Sequence, residues 1–221
     1  MVTSNFGSAI GNKFNSDGTF RAFAGNTMVS ALRSSQVFPE LCDIQRRLLS
    51  SGRGEYLMPL PPDSFHMTVF EGVCDQVRDK DHWSCVVPDT MPIDEVSRKL
   101  APLFESVPPM GHVEMRLSYL RVDTGISIGL VPKTEEDEKI IRDYRDQLAQ
   151  SMGICFPGHN EYGFHIGLAY GRMPAGDLDY LFEDFQKEMK DYFASKEIVF
   201  TVPRPDYCTF KDMSCFTPWK F

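Results

Sequence analysis

Two histidines carry the chemistry this sequence can offer: His66 in "FHMTVF" (65–70) and His165 in "FHIGLAY" (164–170). Each follows a phenylalanine and opens a run in which apolar residues alternate with small or polar ones, the period of a strand. Side chains alternate across a strand, so His66, Thr68 and Phe70 are expected on one face, with Met67 and Val69 on the other. His165, Gly167 and Ala169 are expected on the equivalent face of the second strand. If those faces meet across a cleft, two imidazoles converge on one ligand. A neutral imidazole can then accept a proton while a charged one donates. Such a pair suits cleavage of a phosphodiester, above all a strained cyclic one. A single histidine in an apolar strand is most often structural, so the repetition of the pattern carries the weight.

The flanking segments supply elements to hold these strands. "NTMVSAL" (26–32) reads as a first strand, and residues 34–51 carry Val37, Leu41, Ile44 and Leu48 at helical spacing. "EYLMPL" and "SFHMTVFEG" are extended, with a turn forced by "PLPP". Residues 75–89 read as a loop long enough to form a functional rim. Pro92 can open a helix to Ser106 with Ile93, Val96, Leu100 and Phe104 on one face. "VEMRLSYLRV" and "ISIGLV" form a hairpin about "DTG", and Thr134 with Asp137 caps a helix to Met152. After the second histidine strand come a helix over 175–194 and two closing strands, "EIVFTV" and "DYCTFKDM". The order strand, helix, histidine strand thus occurs twice, which indicates an internal duplication. No G-x-G-x-x-G or Walker-type loop is present.

Composition narrows the function. The 221 residues suit one compact domain or two small lobes sharing a core, and no apolar run reaches the roughly 20 residues of a membrane span. The N-terminus lacks a signal pattern, so a cytoplasmic location is expected, with the nucleus open to it. Six scattered cysteines without a C-x-x-C pair are then expected to be free thiols. A net charge of −8 and the lack of a basic run disfavour duplex DNA. Small phosphorylated substrates and RNA ends fit better, and a monomer is expected. A zinc set of His66, Cys74, His82 and Cys85 lacks short chelating pairs, so neither metal nor cofactor is expected.

From these residues the sequence resembles the two-histidine (2H) phosphoesterase superfamily, which includes bacterial RNA ligase-like proteins and cyclic nucleotide phosphodiesterases. That signature is two copies of His-x-Thr/Ser followed by an apolar residue. "HMTV" matches throughout, and "HIGL" matches except that Gly167 stands where a hydroxyl is expected. "IGNKFNSDGTFRAFAGNTMVSAL" and "FHMTVFEGVCD" also resemble a poorly characterised branch. The resemblance runs from about residue 10 to 215. It implies an α+β fold: a bilobal, pseudo-two-fold arrangement of duplicated antiparallel sheets lining a central cleft, with helices outside. An N-terminal arm (1–24) would precede a single bilobal domain (25–215) with interleaved lobes.

The resemblance further implies that His66 and His165 are the acid/base pair, that Thr68 binds a phosphate oxygen, and that Gly167 can offer only its backbone N–H. The implied reaction is metal-independent hydrolysis of a cyclic phosphate or a small 2′-linked phosphodiester. Substrates would be like 2′,3′-cyclic nucleotides, RNA ends or ADP-ribose cyclic phosphate. The alternative is a nucleotide- or RNA-end-binding protein with weakened or lost catalysis. From strand position alone, Arg121 and Lys211 are candidate phosphate partners. Tyr56, Tyr162 and Tyr207 are candidates for stacking, and Asn26 and Thr27 for the cleft wall.

Overall fold

The period-two segments pair into one curled antiparallel sheet flanked by helices in a computed structural model that describes residues 11–15 and 17–220. Residues 1–10 and 16 of the expected arm lie outside the described residues. The first part of the chain forms β1 (Gly25–Ala31), α1 (Phe38–Leu49), β2 (Leu57–Pro59), β3 (His66–Cys74) and α2 (Ile93–Glu105). The second part forms β4 (Glu114–Val122), β5 (Gly125–Pro132), α3 (Glu135–Met152), β6 (His165–Gly171), α4 (Ala175–Leu181) and α5 (Glu183–Ser195). Short strands β7 (Val199–Thr201), β8 (Asp206–Phe210) and β9 (Thr217–Pro218) close it. Among the described residues no helix is long and apolar enough to cross a membrane.

The strand order is β7-β4-β5-β6-β3-β1-β8-β9, with β2 also against β6. The histidine strands β3 and β6 are therefore central neighbours, joined by a single register pair, Met67 with Ile166. On either side the plan repeats: β3 pairs β1 and β1 pairs β8, while β6 pairs β5 and β5 pairs β4. The third strand of the first half comes from the far end of the chain, whereas that of the second half precedes β5 in a hairpin. β8, from the end, completes the half begun by β1, and β4, which follows α2, completes the half of β5 and β6.

The helices form for the reasons their sequences suggest. Val37 at the start of α1, and Leu41, Ile44 and Leu48 along it, are buried, giving one apolar stripe against the sheet. A capping box holds the start of α3: Thr134 accepts from the Asp137 backbone N–H, and the Asp137 carboxylate accepts from that of Thr134, both at 3.1 Å. Gly153 ends α3 in the left-handed conformation at φ 62°, where other residues are strained. The helix expected over 175–194 is instead two, because Phe182 leaves helical geometry (φ −104°, ψ 12°) while burying its ring. The loop 75–89 is present but does not line the cleft, so the expected rim role is corrected. It packs inward instead: Trp83 is buried beneath the Arg78 guanidinium, and Ser84 donates to the Met152 carbonyl at 2.7 Å.

Candidate active site

One local irregularity, present twice, sets the faces of the histidine strands. Val29 of β1 pairs with Thr68 and Met28 with Phe70, leaving Val69 as an extra residue in β3. Ser127 of β5 pairs with Gly167 and Ile126 with Ala169, leaving Leu168 extra at the matching place in β6. Each is a β-bulge, which re-aims the side chains beyond it. This corrects the expected faces. Phe70 is buried in the core and Glu71 lines the cleft in its place; Ala169, though buried, still lines the cleft, and Tyr170 lines it as well. Glu71 and Tyr170 are cleft residues that alternation alone misses.

At each bulge a carbonyl inside the protein accepts from a buried polar side chain of a helix of the opposite half, and that of Leu168 accepts from the Leu60 N–H as well, at 3.0 Å. Arg145 of α3 donates through Nη1 to the Val69 carbonyl at 2.6 Å. Gln45 of α1 donates through Nε2 to the Leu168 carbonyl at 2.8 Å, and at the same distance to that of Leu60. Arg145 is 1% exposed and its guanidinium lies 4.1 Å from the Tyr162 ring centroid, so helix α3 also backs a cleft wall.

Between the bulges and the strand starts, both imidazoles line one cleft of about 870 Å³, together with Thr68, Gly167, Tyr162 and Arg121. Both rings are half-buried and held alike. His66 Nδ1 lies 2.7 Å from the Ser64 carbonyl oxygen, and His165 Nδ1 lies 2.9 Å from that of Gly163. A carbonyl can only accept, so Nδ1 carries the hydrogen and the neutral rings keep their lone pair at Nε2. Burial, the largest influence on each, pushes both imidazoles below their ordinary pKa, against the contrary pull of the carbonyls. His165 adds a downward push on His66, while Arg121 and Lys13 push His165 down and Asp123 pulls it up. At neutral pH both rings are thus bases, and a bound anion is what would favour protonating one of them.

The walls of the cleft differ in character. Phe216 packs on the His66 ring at 4.4 Å between centroids, and Phe23, Phe210 and Met213 line the cleft with it. Lys13, from the arm, stands over the rings of Phe23 and Tyr170 at 5.4 and 5.1 Å. The arm is held there by Phe14, 1% exposed in a small apolar cluster with Met58 and Met213. On the other side Arg121 is ion-paired to Asp123 at 2.7 Å. Burial pushes the Glu71 carboxyl up, and the charges of Arg145, His159 and His82 oppose that shift.

Other expected residues are placed differently. Asn26 and Thr27 line the cleft, but their side chains hold the fold: Asn26 donates to Ser97 at 3.0 Å and accepts from the Val73 N–H, and Thr27 donates to the Phe70 carbonyl. Tyr207 is buried away from the cleft, its hydroxyl donating to the Ser97 carbonyl at 3.0 Å. Tyr56 and Lys211 are exposed and lie off the cleft lining. Period two in "DYCTFKDM" suggested a cleft position for Lys211, but β8 ends at Phe210, one residue before it. Lys13, Ser127 and Tyr119 escaped attention. Tyr119 lies across the strand from Gly129, so close that a Cβ there would sit 2.2 Å from its ring, and Gly129 pairs with His165. Among the described residues no three His, Cys, Asp or Glu side chains gather as a metal site would need.

Residues 13–126, slightly more than half of the chain, match the family 2H-phosphodiest, described as a domain of unknown function (DUF1868). A crystal structure of the conserved protein of unknown function ATU0111 from Agrobacterium tumefaciens is similar at a TM-score of 0.80 and 29% identity. The likeness covers 96% of this chain and 90% of that one, and so spans both histidine strands. A crystal structure described as a phosphoesterase aligns at a TM-score of 0.44 and 13% identity, over 89% of this chain and 95% of that one. No curated protein matches.

Proposed function

The chain belongs to the 2H-phosphodiest family, and from that premise we propose that it hydrolyses a cyclic phosphate or a small 2′-linked phosphodiester, using His66 and His165 as the acid/base pair. The observation that carries this reading is the matched anchoring of two imidazoles in one cleft, each with Nδ1 on the carbonyl two residues earlier. In the proposed reaction the Nε2 of one ring takes the proton of a water attacking phosphorus in line. The other ring, protonated, gives its proton to the leaving oxygen, so the P–O bond breaks without an alkoxide forming. Thr68 and Arg121 face the non-bridging oxygens in this scheme. Closely placed aromatic rings suit the flat, apolar part of a nucleotide-like ligand or RNA end.

The net charge of −8 argues against a duplex partner. A second reading, a nucleotide- or RNA-end-binding protein with weakened chemistry, is favoured by one observation, the missing hydroxyl at Gly167. Turnover of 2′,3′-cyclic nucleotides and of ADP-ribose cyclic phosphate in the presence of EDTA, measured beside binding, separates the two. Hydrolysis lost on replacing either histidine upholds the first reading. Tight binding without turnover moves the function to the second.

A further inference from the structure

The second histidine strand lacks a hydroxyl two residues after its histidine, yet the floor there is not apolar. Ser127 of β5 pairs directly with Gly167, so the two residues present the same face of the sheet, and both line the cleft. In the first half the equivalent pair is Val29 with Thr68, identified by the matching bulges that follow both pairs. One half therefore has its hydroxyl on the histidine strand and an apolar neighbour. The other has no side chain on the histidine strand and a hydroxyl on its neighbour. The Ser127 side chain has no hydrogen-bond partner among the described residues, although the residue is only 7% exposed. On the next strand its register partner is Arg121, which also lines the cleft. Arg121, Ser127 and bare Gly167 thus form one row leading toward the histidine strands.

We propose that Ser127 is the phosphate-binding hydroxyl of the second half, its O–H donating to a phosphate oxygen over the open backbone of Gly167. This deepens the phosphoesterase reading and rests on it. A glycine at 167 is then part of the arrangement, because a β-carbon there would stand between the serine and the ligand. Such a β-carbon would meet only the Leu60 side-chain tip, at 3.2 Å, so a hydroxyl residue can be restored at 167 with a small adjustment.

The test compares wild type, Ser127→Ala, Ser127→Ala with Gly167→Ser, and His66→Ala on 2′,3′-cyclic AMP, with inorganic phosphate as a binding probe. Ser127→Ala is expected to lower kcat/KM by about 10²-fold, the scale of one preorganised donor to a phosphate oxygen. Adding Gly167→Ser is expected to regain about tenfold, since it returns the hydroxyl to the histidine strand. Ser127→Ala turnover equal to wild type, or a double variant no better than Ser127→Ala, overturns the proposal while the loss in His66→Ala leaves the two-histidine reading standing. If wild type hydrolyses nothing, that reading fails and phosphate binding decides for Ser127. Weaker binding in Ser127→Ala with unchanged thermal unfolding upholds it, and equal binding, or no binding by wild type, overturns it.

Discussion

At the scale of single residues, the carbonyls of Ser64 and Gly163 choose the tautomer of each imidazole before any ligand arrives. Replacing either histidine with alanine is expected to cost about 10²–10⁴ in kcat, the usual span for an acid or base, and steady-state kinetics on the best cyclic phosphate checks it. The pH dependence follows from the direction of the shifts. Both imidazoles are pushed below the ordinary value of 6.5, so the free enzyme carries one charged and one neutral ring only on the acid side of that value. The kcat/KM profile is therefore expected to be bell-shaped with its maximum below pH 6.5, falling toward neutrality as the acid loses its proton. A bound phosphate raises the pKa of the ring it faces, so the alkaline limb of kcat should lie at higher pH than that of kcat/KM. A single plateau extending above pH 8 contradicts the scheme. The histidines were legible as cleft residues because a short pattern occurred twice, and Thr68 because it lies two residues on along the same strand face. Glu71 and Tyr170 were not, because one inserted residue reverses strand alternation and leaves no mark in composition.

At the scale of elements, the bulges stay in place because two helices reach across to hold them. Gln45 and Arg145 sit on otherwise apolar faces, and each donates to the carbonyl of a bulged residue, Leu168 or Val69. Gln45→Leu is expected to lower unfolding stability by about 1–3 kcal/mol, since it leaves the half-buried Leu60 carbonyl without its amide donor. Arg145→Met abandons the Val69 carbonyl but removes a guanidinium that burial disfavours, so its loss of stability should be smaller than that of Gln45→Leu. Urea denaturation of both variants checks the order, and unchanged midpoints contradict the tethering role. Helical periodicity gave the apolar stripes of α1 and α2, because burial repeats every three to four residues. It gives no sign of the role of Arg145, because its partners, the Val69 and His159 carbonyls, are 76 and 14 residues away in sequence. The break at Phe182 was hidden for a related reason: the apolar spacing of Leu178, Phe182, Phe185 and Met189 runs through it unbroken.

At the scale of the whole molecule, duplication was readable from element order and the β4–β5 hairpin from its turn, whereas the place of β8 was not, since nothing local tells it which half to complete. The return of β8 to β1 has a consequence for the chain as a covalent object. The only continuous stretch between the first histidine strand's helix and β4 is the segment 106–113, whose Ser106, Pro108, Pro109, Gly111 and His112 are exposed. A chain opened there yields two polypeptides: the first has β1 and β3 but lacks β8, while the second holds β4, β5 and β6 but leaves β6 without β2 and β3 along its edge. Expressed separately, each piece should be unfolded or aggregated, and expressed together they should reassemble into one particle that regains wild-type ligand binding. Size-exclusion chromatography and circular dichroism of the separate and mixed pieces check this. A piece that folds alone would show that the shared strands are dispensable. Backbone continuity, on this account, is a matter of keeping the two pieces near each other. The interlocked strands make them one protein.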